Sequence, residues 1–279
     1  MLDKFILEDI LTRALKEDMP QGDITTDNLI DDDEIAKAVL VSKDEGIIAG
    51  IEVAKKAFQL LDENITFEEN VKDGDYVKKG DIIARIEGKT KAILKAERTA
   101  LNLLQRMSGI ATKTHEFCQK VKDLPVKIVD TRKTTPGLRY LEKYAVRVGG
   151  GTNHRYCLSD GVLIKDNHIS AAGSIKKAVE IIREKIPHTI KIEVETETLD
   201  QVREALEAGA DIIMLDNMSR EMMKEAVKII NKKALVEASG NVSLETVRDI
   251  ALTGVDIISV GKLTHSVSAF DISLRFICG

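Results

Sequence analysis

The second half of this chain alternates short apolar runs with amphipathic stretches, and that rhythm limits its fold more than any other feature. VKIVDT, GVLIK, IKIEVE, DIIMLD, ALVEAS and DIISVG are too short for helices. Most are followed by apolar residues at helical spacing, over 171–185, 198–208, 219–231 and 243–253. Sequential strand–helix units of this length close most naturally into a parallel α/β barrel with the helices outside, with an open doubly wound sheet as the alternative. Polar residues gather where the strands end: Asp130 and Arg132, Lys165, Glu193 and Glu195, Asp216 and Asn217, Glu237 and Ser239, Gly261. That favours the barrel, whose catalytic face is the C-terminal one. For any single residue, a chain turning polar as it leaves a core explains the pattern equally well; the set is harder to dismiss.

The first half reads differently. Phe5, Ile6, Ile10, Leu11 and Ala14 fall at helical intervals before Pro20 and Gly22 stop the pattern. Residues 35–95 bring short β-rich pieces, Gly-containing turns and one helix over 52–62, the marks of a small α+β sandwich. VKDGDYVKKGDIIARIEG resembles half of a lipoyl-carrier sandwich, but no lysine sits at a hairpin tip flanked as a carrier lysine would be, which argues against a carrier role. Residues 96–122 predict a bridging helix interrupted around Gly109. The expected division is 1–109, the leading helix and α+β sandwich, and 110–279, the barrel.

Composition narrows the class. With 43% hydrophobic and 31% charged residues, the chain belongs with globular proteins rather than disordered or membrane ones. No apolar run reaches the ~18 residues of a membrane helix, and MLDKFILEDI lacks a secretory pattern, so a cytoplasmic setting is expected. Cys118, Cys157 and Cys278 are an odd set without CxxC spacing, which argues against a disulfide framework or structural zinc. A net charge of −5 offers no broad basic face for nucleic acid. Locally the balance reverses: from Asp130 to His168 seven Lys/Arg face four Asp/Glu.

That cationic stretch carries the chemistry. DTRKTTPGLR sets Arg132 and Lys133 just past a strand, beside hydroxyls and Gly137, as an anion-binding loop would; alone it could be a solvated basic turn. In GGGTNHRYCLSDGVLIKDNH, three glycines precede His154 and Arg155, and Lys165 ends the next strand. Glycine triplets allow close approach to a ligand or a mobile loop. Opposite charges ~4 Å apart attract by about 1 kcal/mol in water but about 4 at the effective dielectric of a cleft, so such cations select a small anion only when enclosed. Glu193 and Glu195 of IEVE and Asp216 of LDN could accept from ribose hydroxyls, face an oxocarbenium-like centre or approach magnesium. Salt bridges to the nearby cations compete with that reading, for Glu193 above all, and only one member of the E-V-E pair is expected to point inward. The turns ASGN and SVGKLTHS follow the last two strands, where barrels grip phosphate through backbone N–H groups; ordinary glycine helix boundaries would look similar.

Taken together, ERTALNLLQRMSGIAT, DTRKTTPGLR, GGGTNHR, LIKDNH, EVE, LDNM, ASGN and SVGKLTHS, with EDMPQGDIT near the start, resemble the quinolinate phosphoribosyltransferase family in order and spacing across nearly the whole chain. The resemblance implies a sandwich domain beside a barrel, a homodimer or larger homo-oligomer in which one subunit completes the other's site, and magnesium-dependent use of phosphoribosyl pyrophosphate. The implied reaction joins the phosphoribosyl group to quinolinate with decarboxylation. Arg132, His154, Arg155 and Lys165 match positions that hold the quinolinate carboxylates, Arg98 the arginine supplied across the dimer, and Lys133 a place near pyrophosphate. Glu195 and Asp216 match acidic residues facing ribose and magnesium, and with Lys165 form the implied catalytic group. Ser239, Gly240, Asn241, Gly261 and His265 match the phosphate loops. Two departures touch those loops: ASGN stands where many relatives carry a further glycine, and Lys262 where many have a smaller residue. Rival readings are the related barrel of molybdenum-uptake operons, a nicotinate phosphoribosyltransferase, and a non-catalytic anion-binding barrel.

Overall fold

The structure is a computed structural model and describes residues 2–277; Cys278 lies outside the described residues. It divides into two compact units. One holds residues up to His115, then Thr134–Gly150, and the segment from His265 onward. The other holds Glu116–Lys133 and Gly151–Thr264.

In the first unit, α1 (Lys4–Asp18) is capped by the Asp3 carboxylate, which accepts from the Phe5 and Ile6 amides, and it buries Leu7, Ile10, Leu11 and Leu15 at helical spacing. Next come α2 (Ile24–Leu29), β1 (Ile35–Ser42), β2 (Gly46–Ile47), α3 (Ile51–Gln59), β3 (Thr66–Glu69), β4 (Tyr76–Val77), β5 (Ile82–Lys89) and α4 (Thr90–Lys120). The helix expected over 52–62 is α3, and the expected sandwich is an antiparallel sheet with a two-stranded β2–β4 piece.

Two glycines correct the sequence reading. Helix α4 runs through Gly109 without interruption. Gly109 is there because a Cβ would lie 2.3 Å from the Ser268 carbonyl oxygen, so the requirement is room for a crossing segment and not a break. Likewise Gly149, first of the glycine triplet, sits where a Cβ would meet the Ala111 carbonyl oxygen at 2.3 Å. The close approach there is to α4 and not to a ligand.

The remaining elements are β6 (Lys127–Val129), α5 (Arg139–Val148), β7 (Val162–Ile164), α6 (Asp166–Ala172), α7 (Ile175–Arg183), β8 (Ile192–Thr196), α8 (Leu199–Glu207), β9 (Ile212–Asp216), α9 (Arg220–Ile230), β10 (Leu235–Ser239), α10 (Val247–Ala251), β11 (Ile257–Ser259), α11 (Lys262–His265) and β12 (Ile272–Phe276). Strand β12 pairs antiparallel with β1, Val39 opposite Arg275, and completes the order β12-β1-β5-β3. The units therefore differ from a single cut at residue 109: the end of the chain belongs with the first because β12 pairs along the edge of β1, and α5 groups with the first as well.

The second unit carries the six expected parallel strands in the order β6-β11-β10-β9-β8-β7. That is the order of an α/β barrel opened between β6 and β7, where one bridge from Val129 to Thr152 stands in place of a ladder. Ladder partners share a face. Ile128, Ile192, Val194, Ile213, Leu215, Val236, Ala238 and Ile258 form the outer set and are all 3% exposed or less. The helices that cover such strands are capped as the sequence dictates: Ser174 for α7, Thr198 with Gln201 for α8, Ser219 for α9.

Candidate active site

The other strand face carries Glu193 and Glu195 on β8, Asp216 on β9, Glu237 and Ser239 on β10 and Ser259 on β11. Glu195 and Glu237 both sit opposite Met214, and Ser239 opposite Asp216. Glu193 and Glu195 are therefore not divided between faces. A strand repeats every second residue, so positions 193 and 195 point the same way, and each finds a cationic or protic partner on that side. Val194, between them, is the residue that turns away.

At the deeper level of this interior lies a triad. His154 Nε2 is 3.1 Å from Glu193 Oε2 and 3.6 Å from Glu237 Oε1, and the two carboxylates are only 3% and 1% exposed. The Arg155 backbone N–H donates to His154 Nδ1 at 2.8 Å, and the Arg155 guanidinium donates to the Gly161 carbonyl at 2.8 Å. Asp130, fully buried, accepts from the His154 amide at 2.9 Å and from Asn153 Nδ2 at 2.6 Å, which anchors the whole 153–155 turn to the end of β6. Burial lowers the affinity of the Arg155 guanidinium for its proton, the nearby Arg132 charge adds to that, and Glu193 opposes it. Burial, then the charge of Glu193, pushes the Glu237 carboxyl up to about 7, against the pull of His154. A cavity of about 420 Å³ opens against His154, Arg155, Lys191, Glu193, Glu237 and Ile257.

Toward the C-terminal ends, Lys165 Nζ reaches Glu195 Oε2 at 3.0 Å. The Lys165 backbone N–H donates to His168 Nδ1 at 3.0 Å, so this histidine holds the turn into α6. After β9 and β10 the turns LDN and ASGN are tied together. Asn217 and Asn241 both adopt left-handed backbone, the Asn217 amide donates to the Ser239 carbonyl at 3.0 Å and its side chain to Asp216 Oδ2 at 2.8 Å. Gly240 has φ +95°, and a Cβ there would come within 2.1 Å of Asn217 Oδ1. Gly261 begins the turn into α11, where the Thr264 hydroxyl donates to the Lys133 carbonyl at 2.8 Å. This fixes the backbone of the arginine–lysine loop to the final βα turn. Of the sequence-derived candidates, Arg132, Lys133, His154, Arg155, Lys165, Glu195, Asp216, Ser239, Gly240, Asn241 and Gly261 all belong to the second unit. Arg98, exposed on α4, and His265, which bonds Ser266 through Nδ1 at 2.6 Å, belong to the first.

The family described as "Quinolinate phosphoribosyl transferase, N-terminal domain" matches residues 23–108, and its C-terminal domain matches residues 110–275. The chain belongs to the quinolinate phosphoribosyltransferase family. A Bacillus subtilis (strain 168) protein described as a probable nicotinate-nucleotide pyrophosphorylase (carboxylating) is 48% identical over 268 residues, covering 96% of this chain and 92% of that one. A mitochondrial quinolinate phosphoribosyltransferase (decarboxylating) of Nicotiana glauca is 45% identical over 288 residues, with 96% and 82% coverage. The crystal structure of NadC from Streptococcus pyogenes superposes with a TM-score of 0.95 at 42% identity, covering 100% of this chain and 99% of that one.

Within this quinolinate phosphoribosyltransferase fold, sequence reasoning gave Glu237 no role beyond a polar strand end. The signal was present: Glu237 stands two residues before Ser239, the residue assigned to the phosphate loop, and strand alternation puts the two on one face. Asn217, whose side chain braces the ASGN turn, was likewise passed over, although an Asn beside the strand-terminal Asp is the residue type that tolerates left-handed backbone. Among the described residues no helix is long and apolar enough to cross a membrane.

Proposed function

We propose that this chain transfers the phosphoribosyl group of phosphoribosyl pyrophosphate to quinolinate with decarboxylation, giving nicotinate mononucleotide, pyrophosphate and carbon dioxide on the de novo route to NAD. The observation that carries the reading is family membership along nearly the whole chain, joined to Arg132, His154, Arg155 and Lys165 within one barrel unit. A dicarboxylate acceptor needs that density of cations; a monocarboxylate such as nicotinate needs fewer.

In the reaction the pyridine nitrogen attacks the anomeric carbon as the bond to pyrophosphate breaks, through an oxocarbenium-like state. Glu195 and Asp216, on neighbouring strands, favour the positive ribose, and the Ser239–Gly240–Asn241 and Gly261 turns with His265 hold the terminal phosphate by backbone and side-chain donors. Lys133 lies on the loop assigned to pyrophosphate. Lys165, held at 3.0 Å by Glu195, is placed to hold the acceptor carboxylate and to pass between the two anions as the substrate enters. Once ribosylated, the ring nitrogen is cationic. The electron pair left as carbon dioxide departs stays on C2, where the adjacent positive nitrogen stabilises it, and a proton from solvent then bonds to that pair and completes C2. Magnesium, when bound, neutralises the pyrophosphate leaving group. Glu195 and Asp216 supply only a sparse set of hard oxygen donors, as magnesium takes when substrate phosphates provide the rest.

The working form in this reading is a homodimer or larger homo-oligomer in which exposed Arg98 crosses into the partner's site. Free thiols at Cys118 and Cys157 suit a reducing, cytoplasmic setting. The experiment is incubation with phosphoribosyl pyrophosphate, magnesium and either quinolinate or nicotinate, following pyrophosphate and nicotinate mononucleotide together. Product from quinolinate alone is expected; product from nicotinate alone would overturn the acceptor assignment.

A further inference from the structure

The buried triad of His154, Glu193 and Glu237 has one ring and two carboxylates whose ligand atoms lie within 4.8 Å of one another, a composition that could hold a metal ion. The hydrogen bonding argues against it. His154 Nδ1 accepts the Arg155 backbone N–H, so the neutral ring carries its proton on Nε2, the atom that faces the carboxylates. That leaves no lone pair there for a metal, whereas a metal-bound histidine ordinarily donates from its other nitrogen. The Arg155 cation, which interacts with Glu193, opposes a further dication as well.

A proton on one of the two carboxylates relieves their mutual repulsion. Glu193 Oε1 and Glu237 Oε1 are both buried without a hydrogen-bond partner, which is costly for an ionised carboxylate and tolerable for an acid. Resting on the activity proposed above, we infer that Glu237 is a positioning residue of the acceptor site: kept as the neutral acid beside Glu193, it leaves the pocket lined by His154 and Arg155 at the charge that a dicarboxylate needs. His154 Nε2 is held at 3.1 Å by Glu193, while Glu237 acts through the charge it withholds from this pocket. When it ionises, a second buried negative charge faces the acceptor, and dicarboxylate binding weakens. The charged and protic groups around it come from several elements. Glu193 comes from β8 and Lys191 from the residue before it, His154 with Asp160 and with Arg155, on which the charge of Arg132 acts, from the turn before β7, and Ser259, whose side chain bonds Glu237, from β11. Its affinity for a proton, near neutrality, puts the change inside the working range.

The test compares wild type with Glu237→Gln from pH 6 to 8, measuring KM for quinolinate and for phosphoribosyl pyrophosphate separately. If binding requires the proton, a group that titrates at about 7 raises the wild-type KM for quinolinate about tenfold at pH 8 over its low-pH value, one pH unit above the midpoint. The amide cannot ionise, so the variant's KM for quinolinate stays level after the substrate's own titration, common to both proteins, is divided out. The profile for phosphoribosyl pyrophosphate is the same in both. A merely structural Glu237 would change both Michaelis constants without altering either pH profile, and identical quinolinate profiles would overturn the inference. Should the variant fail to fold, calorimetry on the wild type at pH 8 in two buffers of different ionisation enthalpy decides: uptake of about one proton with quinolinate supports the inference, and none overturns it. Absence of wild-type turnover with quinolinate would instead overturn the activity assignment, and this inference with it.

Discussion

Gly240→Ala is the perturbation whose cost the structure defines best. Gly240 sits at φ +95° after β10, where a Cβ would lie 2.1 Å from Asn217 Oδ1 and 2.9 Å from the Asn217 backbone nitrogen. A left-handed backbone costs a residue bearing Cβ about 1 kcal/mol. Moving Asn217 also sacrifices its bonds to Asp216 and Ser239, at about 1 kcal/mol each, for a total near 3 kcal/mol. At about 2 °C per kcal/mol for a chain of this size, the melting temperature falls by about 6 °C. Gly209→Ala supplies the control, since Gly209 has φ +77° with nothing within 4 Å of where a Cβ would stand and lies in the α8–β9 turn on the opposite end of the strands. That variant bears the backbone cost alone and falls by about 2 °C. Scanning calorimetry of both separates the clash from the strain. In the activity assay Gly240→Ala also raises KM for phosphoribosyl pyrophosphate about tenfold, the equivalent of 1.4 kcal/mol. Equal melting shifts for the two variants would refute the view that Asn217 braces this turn.

Other changes probe separate parts of the molecule. Lys165→Ala lowers kcat/KM for quinolinate by about 10²–10³, measured by initial rates, because a charge aimed at the acceptor is lost and Glu195 is left without its partner at 3.0 Å. Glu142→Ala destabilises by about 3 kcal/mol in a urea titration, since Glu142 is 1% exposed and accepts from Arg106 Nε at 2.8 Å and from the Thr135 amide at 3.2 Å. Asp123 is held down to about 2 by the paired guanidinium bonds of Arg248 at 2.7 and 2.8 Å. Its folded value lies below its unfolded one, so its contribution is present above about pH 4 and is lost as pH falls toward 2. Asp123→Asn removes that segment of the acid dependence, read from urea midpoints between pH 2 and 5.

The barrel was legible because its signal is local: each strand buries an outer row of Ile, Val, Leu and Ala against helices, and the apolar rhythm of six runs cannot be hidden. The continuity of α4 through Gly109 and the tightness at Gly149 were not legible, because the atoms that forbid a side chain there, Ser268 O and Ala111 O, are remote in sequence. The site fell between these limits. Its cations announce themselves by number, but the carboxylates that discipline them needed a parity rule applied along the strand: 193 with 195, 237 with 239. Glu237 illustrates what parity adds. A glutamate flanked by Val236 and Ala238, both turned to the helices, must face the barrel interior, and a carboxyl there incurs a desolvation cost that a surface strand end never meets. A lone acidic residue at mid-strand, with apolar neighbours on both sides, is thus better evidence of interior chemistry than the same residue at the strand's end, because only the former has no exit to solvent.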